Sequence, residues 1–282
     1  MTLADEGEQA MGLKDVLVLL DGATEVAVPY AVSLAGQFGA HLTGADVVPP
    51  ILGGVRVQGL PQFVIDSQLA EAKREQAARE AVFLGAAQGG GITAEMVPIR
   101  GSVDGAASQF AVLARHFDLT VLAQTPQNNG LDEAMLEAAL FGSGRPVLMV
   151  PFVHRAAASF DRIMVAWDRS EVAARAIAGA MPLLARAKLV QVVTASMDRA
   201  PDVDHPGFNI ARHLARHGLP VELKVVATTI DIGNTLLSLA ADEGSDLLVM
   251  GAYGHSRLRE LILGGTTRDI LKTMTLPVLM AH

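Results

Sequence analysis

Cysteine is absent from the 282-residue chain, which excludes disulfides and thiolate metal sites and fits a reducing cytoplasm. Aromatic residues are scarce too, at 4%, although half of the chain is hydrophobic and can fill two cores. An excess of basic charge is missing: the formal net charge of −8 argues against a general nucleic-acid binder. No apolar run approaches the roughly 18 residues of a membrane span. Residues 1–11 carry Asp5, Glu6 and Glu8 and lack the charged-then-apolar layout of a secretory signal. The Ser and His residues show no nucleophile-elbow spacing, so a hydrolase triad is unsupported. These absences leave a soluble, cytoplasmic protein with neither nucleic acid nor membrane as partner.

What is present is a pattern that occurs twice. Asp15-Val-Leu-Val-Leu-Leu-Asp21 and Arg162-Ile-Met-Val-Ala-Trp-Asp168 are apolar runs ending in aspartate, and Pro146-Val-Leu-Met149 reappears as Pro277-Val-Leu-Met280. Between these markers, apolar strands alternate with helical patterns, which indicates a parallel sheet covered on both faces. The expected fold is α/β: two tandem doubly wound domains, each a five-stranded parallel sheet with helices on both faces. The domains span 1–152 and 153–282, joined through Val153–Ser159. Strands are expected near 15–21, 41–48, 92–99, 118–124 and 146–150, then near 161–167, 188–196, 220–228, 246–251 and 277–281. Helices are expected near 24–38, 66–88, 103–116 and 131–141, then near 170–186, 207–217, 231–244 and 265–274. Gly39, Gly218 and Gly244 stand where helices need a left-handed stop.

The two copies differ at one place that matters for chemistry. After the fourth strand of the second copy comes Gly251-Ala-Tyr-Gly254, nine further residues, then Gly264-Gly265-Thr266-Thr267 and a helix. Glycines directly after a strand permit a tight turn and the close approach of a ligand. A glycine pair opening a helix offers unpaired N–H groups and the positive dipole end, which suits phosphate, and Thr266 and Thr267 add hydroxyls. In the first copy Gln124-Thr-Pro-Gln-Asn-Asn-Gly130 takes this place, and Pro126 has no N–H to offer. Gly142-Ser-Gly144 reads there as a helix stop. The surplus length of the first copy lies in Pro49–Phe63, a loop rich in Pro and Gly.

The spacing resembles the universal stress protein family, whose nucleotide-binding members carry G-x2-G-x9-G-[S/T] here. Gly251, Gly254 and Gly264 match; Gly265 replaces the expected Ser or Thr, and Thr266 stands one residue later. The resemblance implies ATP or a related adenine nucleotide, with Mg accompanying ATP, in the second domain. It places Asp168 at the adenine or ribose, Ala166, Val193 and Met250 against the base, and Gly251, Gly254, Gly264, Gly265, Thr266 and Thr267 around the phosphates. It further implies a regulatory or protective role in stress. Single domains of the family pair through their last strands, so an internal pseudo-dimer about Pro146–Val150 and Pro277–Ala281 is expected, with pairing of two whole chains also open.

Other residues carry weaker signals. Asp168 also reads as a cap for the helix that follows. His255, Arg257 and Arg259 supply charge that would balance phosphates or project into water. No dedicated hydrolytic base and no Walker-type lysine accompany the glycines, so any ATP hydrolysis should be slow and no catalytic residue is assigned. His213 and His217 share a helix face, near His205, Asp198, Asp202 and Asp204, but lack a clear third zinc ligand and read as a solvated face. Glu71–Glu80, with Lys73, Arg74 and Arg79, reads as an exposed helix of paired charges. Two other classes stay open. One is an interaction module holding another small molecule or a protein, in which Gly265 marks a lapsed site. The other is an enzyme acting on an adenylated substrate.

Overall fold

The computed structural model describes residues 12–20, 24–48, 62–124, 130–197, 209–254 and 265–282. Asp21, Gly264, His205, His255, Arg257, Arg259 and the aspartates at 198, 202 and 204 lie outside the described residues, as does most of the Pro49–Phe63 loop.

The first half runs β1 (Asp15–Leu20), α1 (Thr24–Phe38), β2 (His41–Val48), α2 (Gln62–Gly89), β3 (Ala94–Arg100), α3 (Val103–Ala114), β4 (Leu119–Ala123), α4 (Gly130–Gly142) and β5 (Val147–Val150). The second runs β6 (Arg162–Ala166), α5 (Glu171–Leu184), β7 (Leu189–Met197), α6 (Ile210–Arg216), β8 (Val221–Thr228), α7 (Ile232–Asp242), β9 (Leu247–Gly251), α8 (Gly265–Thr273) and β10 (Val278–Ala281). Each expected strand and helix is present, with ends shifted by a few residues. One such shift puts Phe63 inside α2 rather than in the preceding loop. The expected stops at Gly39, Gly218 and Gly244 have φ of 61°, 79° and 63°, and Gly144 follows α4 at 70°. Glycine tolerates that left-handed turn, where a Cβ would be strained.

All ten strands form one sheet in the order β3-β2-β1-β4-β5-β10-β9-β6-β7-β8. Within each half every pairing is parallel; the halves meet where β5 and β10 pair antiparallel. There Leu148 faces Leu279, with Val147 opposite Met280 and Met149 opposite Val278. The repeated Pro-Val-Leu-Met sequence makes this register self-matching: equivalent residues exchange places about the Leu148–Leu279 pair.

Continuous burial of Val16–Leu20 and Leu247–Met250 follows from helices on both sheet faces. Alternate residues feed opposite cores. Val16, Val18 and Leu20 pack with α1, Phe83 of α2 and, across the junction, Leu279, Val249 and Ile177. Leu17 and Leu19 pack with Phe110, Met135, Val278, Leu236 and Ile270. Both cores therefore run unbroken through the two halves. The connection at 151–161 lies along α1: Gln37 donates to the Ala158 carbonyl at 2.6 Å, Ala158 N–H donates to Ser33 Oγ at 3.1 Å, and His154 meets the Tyr30 ring edge-on.

Arg79 departs from its expected place on a solvated face. Its Nε donates to Asp46 Oδ1 at 2.7 Å, and the Asp46 side chain is fully buried under α2. A carboxylate in that position requires a cation, and the helix supplies one. Arg74 and Glu71, by contrast, form the exposed i,i+3 pair that the sequence suggests.

Candidate functional site

The strand order reverses between β6 and β9, whose connections leave in opposite directions along the sheet. The crevice beyond their carboxyl ends is where open α/β sheets take ligands. β6 delivers Ala166, and Trp167 N–H extends the ladder one residue further by donating to Val193 O at 2.8 Å. The chain then turns sharply. Asp168 Oδ1 accepts the Ser170 N–H at 2.9 Å, and Arg169 adopts φ 68°. Ser170, in extended conformation, caps α5 by accepting the Ala173 N–H at 3.1 Å. Asp168 is thus not the helix cap; Ser170 is, because it directly precedes the first helical turn, and the aspartate orients the cap.

At these strand ends lies a cavity of about 430 Å³. That falls within the roughly 300–1,000 Å³ common for small-molecule sites. Ala166, Val193, Ala195 and Met250 come from the strands, and Ile232 and Leu236 from α7; together they make an apolar wall. Trp167, Asp168 and Val172 line it from the turn into α5, and Gly251, Tyr253, Gly254, Gly265, Thr266 and Thr267 close the remaining side. Every described residue named from the sequence for this site is among them. Trp167, Val172, Ala195, Ile232, Leu236 and Tyr253 were not named beforehand. Ile232 and Leu236 carried a usable signal, the i,i+4 spacing on a helix leading back to β9.

The glycines have separable roles. A Cβ on Gly251 would lie 2.5 Å from Ala173 N and 2.7 Å from Val172 C, so this glycine admits the N-terminus of α5. A Cβ on Gly254 would meet only the Val172 methyl under 3.0 Å. Gly265 has its nearest neighbour at Asp269 Oδ2, 3.8 Å away, and no left-handed φ. It opens α8, whose first-turn N–H groups have no intrahelical acceptor and whose dipole places positive charge toward the cavity.

Tyr253 lies two residues beyond the end of β9. Its backbone has φ 59°, unusual for a residue with a Cβ, and its N–H donates to Thr267 Oγ1 at 3.4 Å. Its ring packs on Phe141 of α4 at 5.2 Å between centroids. Burial, then the nearby Glu137 and Glu133, push its hydroxyl up to about 12, against the opposing charge of Arg268. It is therefore a neutral phenol at ordinary pH.

His213 of α6 and His217, the cap just past its end, lie exposed with their rings edge-on at 4.9 Å. Among the described residues no three His, Asp or Glu side chains converge as a metal site. No helix among them is long and apolar enough to cross a membrane.

Comparison with known proteins agrees with this geometry. Residues 159–282 match the model of the universal stress protein family. A universal stress protein of Synechocystis sp. is 35% identical over 66 residues, covering 23% of this chain and 22% of that protein. One from Methanocaldococcus jannaschii is 38% identical over 45 residues, covering 16% and 28%. The chain thus spans about a quarter of the length of these curated relatives. The crystal structure of a universal stress protein from Archaeoglobus fulgidus aligns over 96% of this chain and 97% of its own, with a TM-score of 0.71 at 15% identity, a likeness of fold. Residues 159–282 thus match the universal stress protein family, and the whole chain shares its fold with a protein of that family.

Proposed function

We propose that the protein is a tandem universal stress protein, with units at 1–152 and 153–282, that binds ATP or a related adenine nucleotide in the second. The supporting observation is that the cavity lining combines an apolar wall with a helix N-terminus. A nucleotide has the same division, between a flat apolar base and a polyanion. Val193 and Met250, only 1% and 5% exposed, would flank the base with Ala166. Asp168 would accept from the ribose hydroxyls. Gly251, Gly254, Gly265, Thr266 and Thr267 would receive the phosphates, with Gly264 from outside the described residues. Mg would accompany ATP through its phosphate oxygens. The role of such binding would be regulatory or protective, in the cytoplasm, with the two units as an internal pseudo-dimer.

The test is calorimetric titration of the full chain with ATP and magnesium. One nucleotide per chain is expected, because Gln124–Gly130 lacks the glycine spacing. A stoichiometry near two overturns the assignment to the second unit. Absence of binding by folded protein favours the interaction module.

A further inference from the structure

The first half reaches into the site of the second. Strand register shows which residues correspond: Val16 pairs with Leu119 as Ile163 pairs with Leu247, so Ala123 matches Gly251 and Gln124 matches Ala252. The hydrogen bonds agree, since Gln124 N–H donates to Val150 O at 2.8 Å and Ala252 N–H to Ala281 O at 2.9 Å. At the position where its own ligand turn would begin, the first half therefore places a long amide side chain.

That amide is 7% exposed and fully engaged. Its Nε2 donates across the junction to Leu271 O at 2.8 Å and Lys272 O at 3.3 Å, and its Oε1 accepts the Phe152 N–H at 3.2 Å. Carbonyls only accept and a backbone N–H only donates, so the amide has one possible orientation. Leu271 and Lys272 are in the last turn of α8, where carbonyls lack partners within the helix. Gln124 caps that end from the other half.

The opposite contact is made by α4. Phe141, in its last turn, packs on Tyr253 at 5.2 Å and edge-on against His282 at 4.7 Å. His282 Nδ1 in turn donates to Ala252 O at 3.0 Å. The turn after β9 and the helix whose N-terminus faces the cavity are thus each held by a residue of the first half.

We propose that Gln124 and Phe141 are positioning residues for the second half's ligand site, and that the first half acts as its brace. This rests on the cavity being the nucleotide site. α8 has nine residues, so a loosened last turn is transmitted to its first within two further turns. Loss of the Phe141 contact likewise frees Tyr253 from its left-handed conformation.

The experiment measures ATP–Mg affinity of the full chain by calorimetry for the parent, Gln124→Met and Phe141→Leu. Methionine keeps the volume of glutamine and removes its hydrogen bonds. Ser33→Ala is the control, because it removes a contact between the connection and α1 on the opposite sheet face. Each positioning variant is expected to weaken binding roughly 2- to 30-fold, the range for residues that couple to a site without touching ligand. Ser33→Ala should leave affinity unchanged. Amide exchange over 265–273 should quicken in Gln124→Met, and by reciprocity ATP should slow exchange at the Phe152 amide of the parent. Parent-like affinity in folded Gln124→Met and Phe141→Leu overturns the brace while leaving the nucleotide site intact. An equal loss in Ser33→Ala also overturns it, as general destabilisation. A parent that binds no ATP removes both readings together. Should Gln124→Met fail to fold, Phe141→Leu and the Phe152 amide decide the question.

Discussion

Replacing Gly265 by serine puts a hydroxyl at the first residue of α8, where the family pattern has one and this chain has it only from Thr266 onward. The backbone accepts the change, since Gly265 has no left-handed φ and its new Cβ would have no neighbour closer than 3.8 Å. A hydrogen bond at an exposed cavity mouth, where water competes, contributes about 0.5–1.5 kcal/mol. That corresponds to roughly 2- to 13-fold tighter binding of ATP. One acceptor competes for the hydroxyl, because the nearest atom is the Asp269 carboxylate. If serine donates there instead, the ligand-free protein is stabilised and affinity stays flat. The two outcomes separate when affinity is measured by calorimetry and stability by urea unfolding without nucleotide. Loss of the glycine alone should add about 0.5 kcal/mol to the stability of the free protein. A tightening within the stated range supports phosphates at the mouth of α8. Unchanged affinity combined with an apo stabilisation well above that from glycine loss would refute the reasoning, because the hydroxyl would then belong to Asp269.

Gly251→Ala should destabilise the fold by about 1–3 kcal/mol in urea unfolding, because its Cβ meets α5 backbone at 2.5 Å. Gly254→Ala should cost clearly less, as only a movable Val172 methyl opposes it; equal losses would count against the packing role of Gly251. His154 tests the connection between halves. Burial of its ring, aided by Arg155 and opposed by a hydrogen bond that the ring donates to the Ala156 backbone, holds its pKa below the usual 6.5. The unfolded chain then takes up the proton first as pH falls, so this group's contribution is complete above about pH 6.5 and is lost below it. The urea midpoint of the parent should therefore fall more between pH 7.5 and 5.5 than that of His154→Phe, and identical pH dependence would exclude His154.

The sheet and its eight described helices were legible because the inner strands β1, β4, β5, β6, β9 and β10 are nearly unbroken apolar runs and most helices begin at a polar cap or stop at a glycine. Two features were not. Arg79 lies within a run of charges on α2 that looks solvated throughout, and only the tertiary position of Asp46, thirty-three residues away, draws it inward. The role of Gln124 was equally hidden. Aligned by sequence it stood against Gly251, whereas the ladder sets it against Ala252, and its partners lie 147 and 148 residues further on. The strand-end rule located the crevice, and the family resemblance named Ala166, Val193 and Met250 for it, while Ala195 of β7 went unnamed. Tyr253 was overlooked because its contact, Phe141, belongs to the other repeat.

The self-matching register at β5 and β10 has a consequence for how such a molecule can change. Between two identical chains, a substitution at one member of an equivalent pair appears at both. A glutamine at the position of Gln124 would then sit in both ligand turns, and neither copy would keep alanine. A single chain carrying both halves removes that obligation: Gln124 and Ala252 occupy matching places and differ. Covalent linkage also makes the junction independent of dilution, whereas a bimolecular interface loses occupancy as concentration falls. Joining the halves thus separates two jobs that symmetry would force on the same residue, one copy supporting and the other enclosing the cavity.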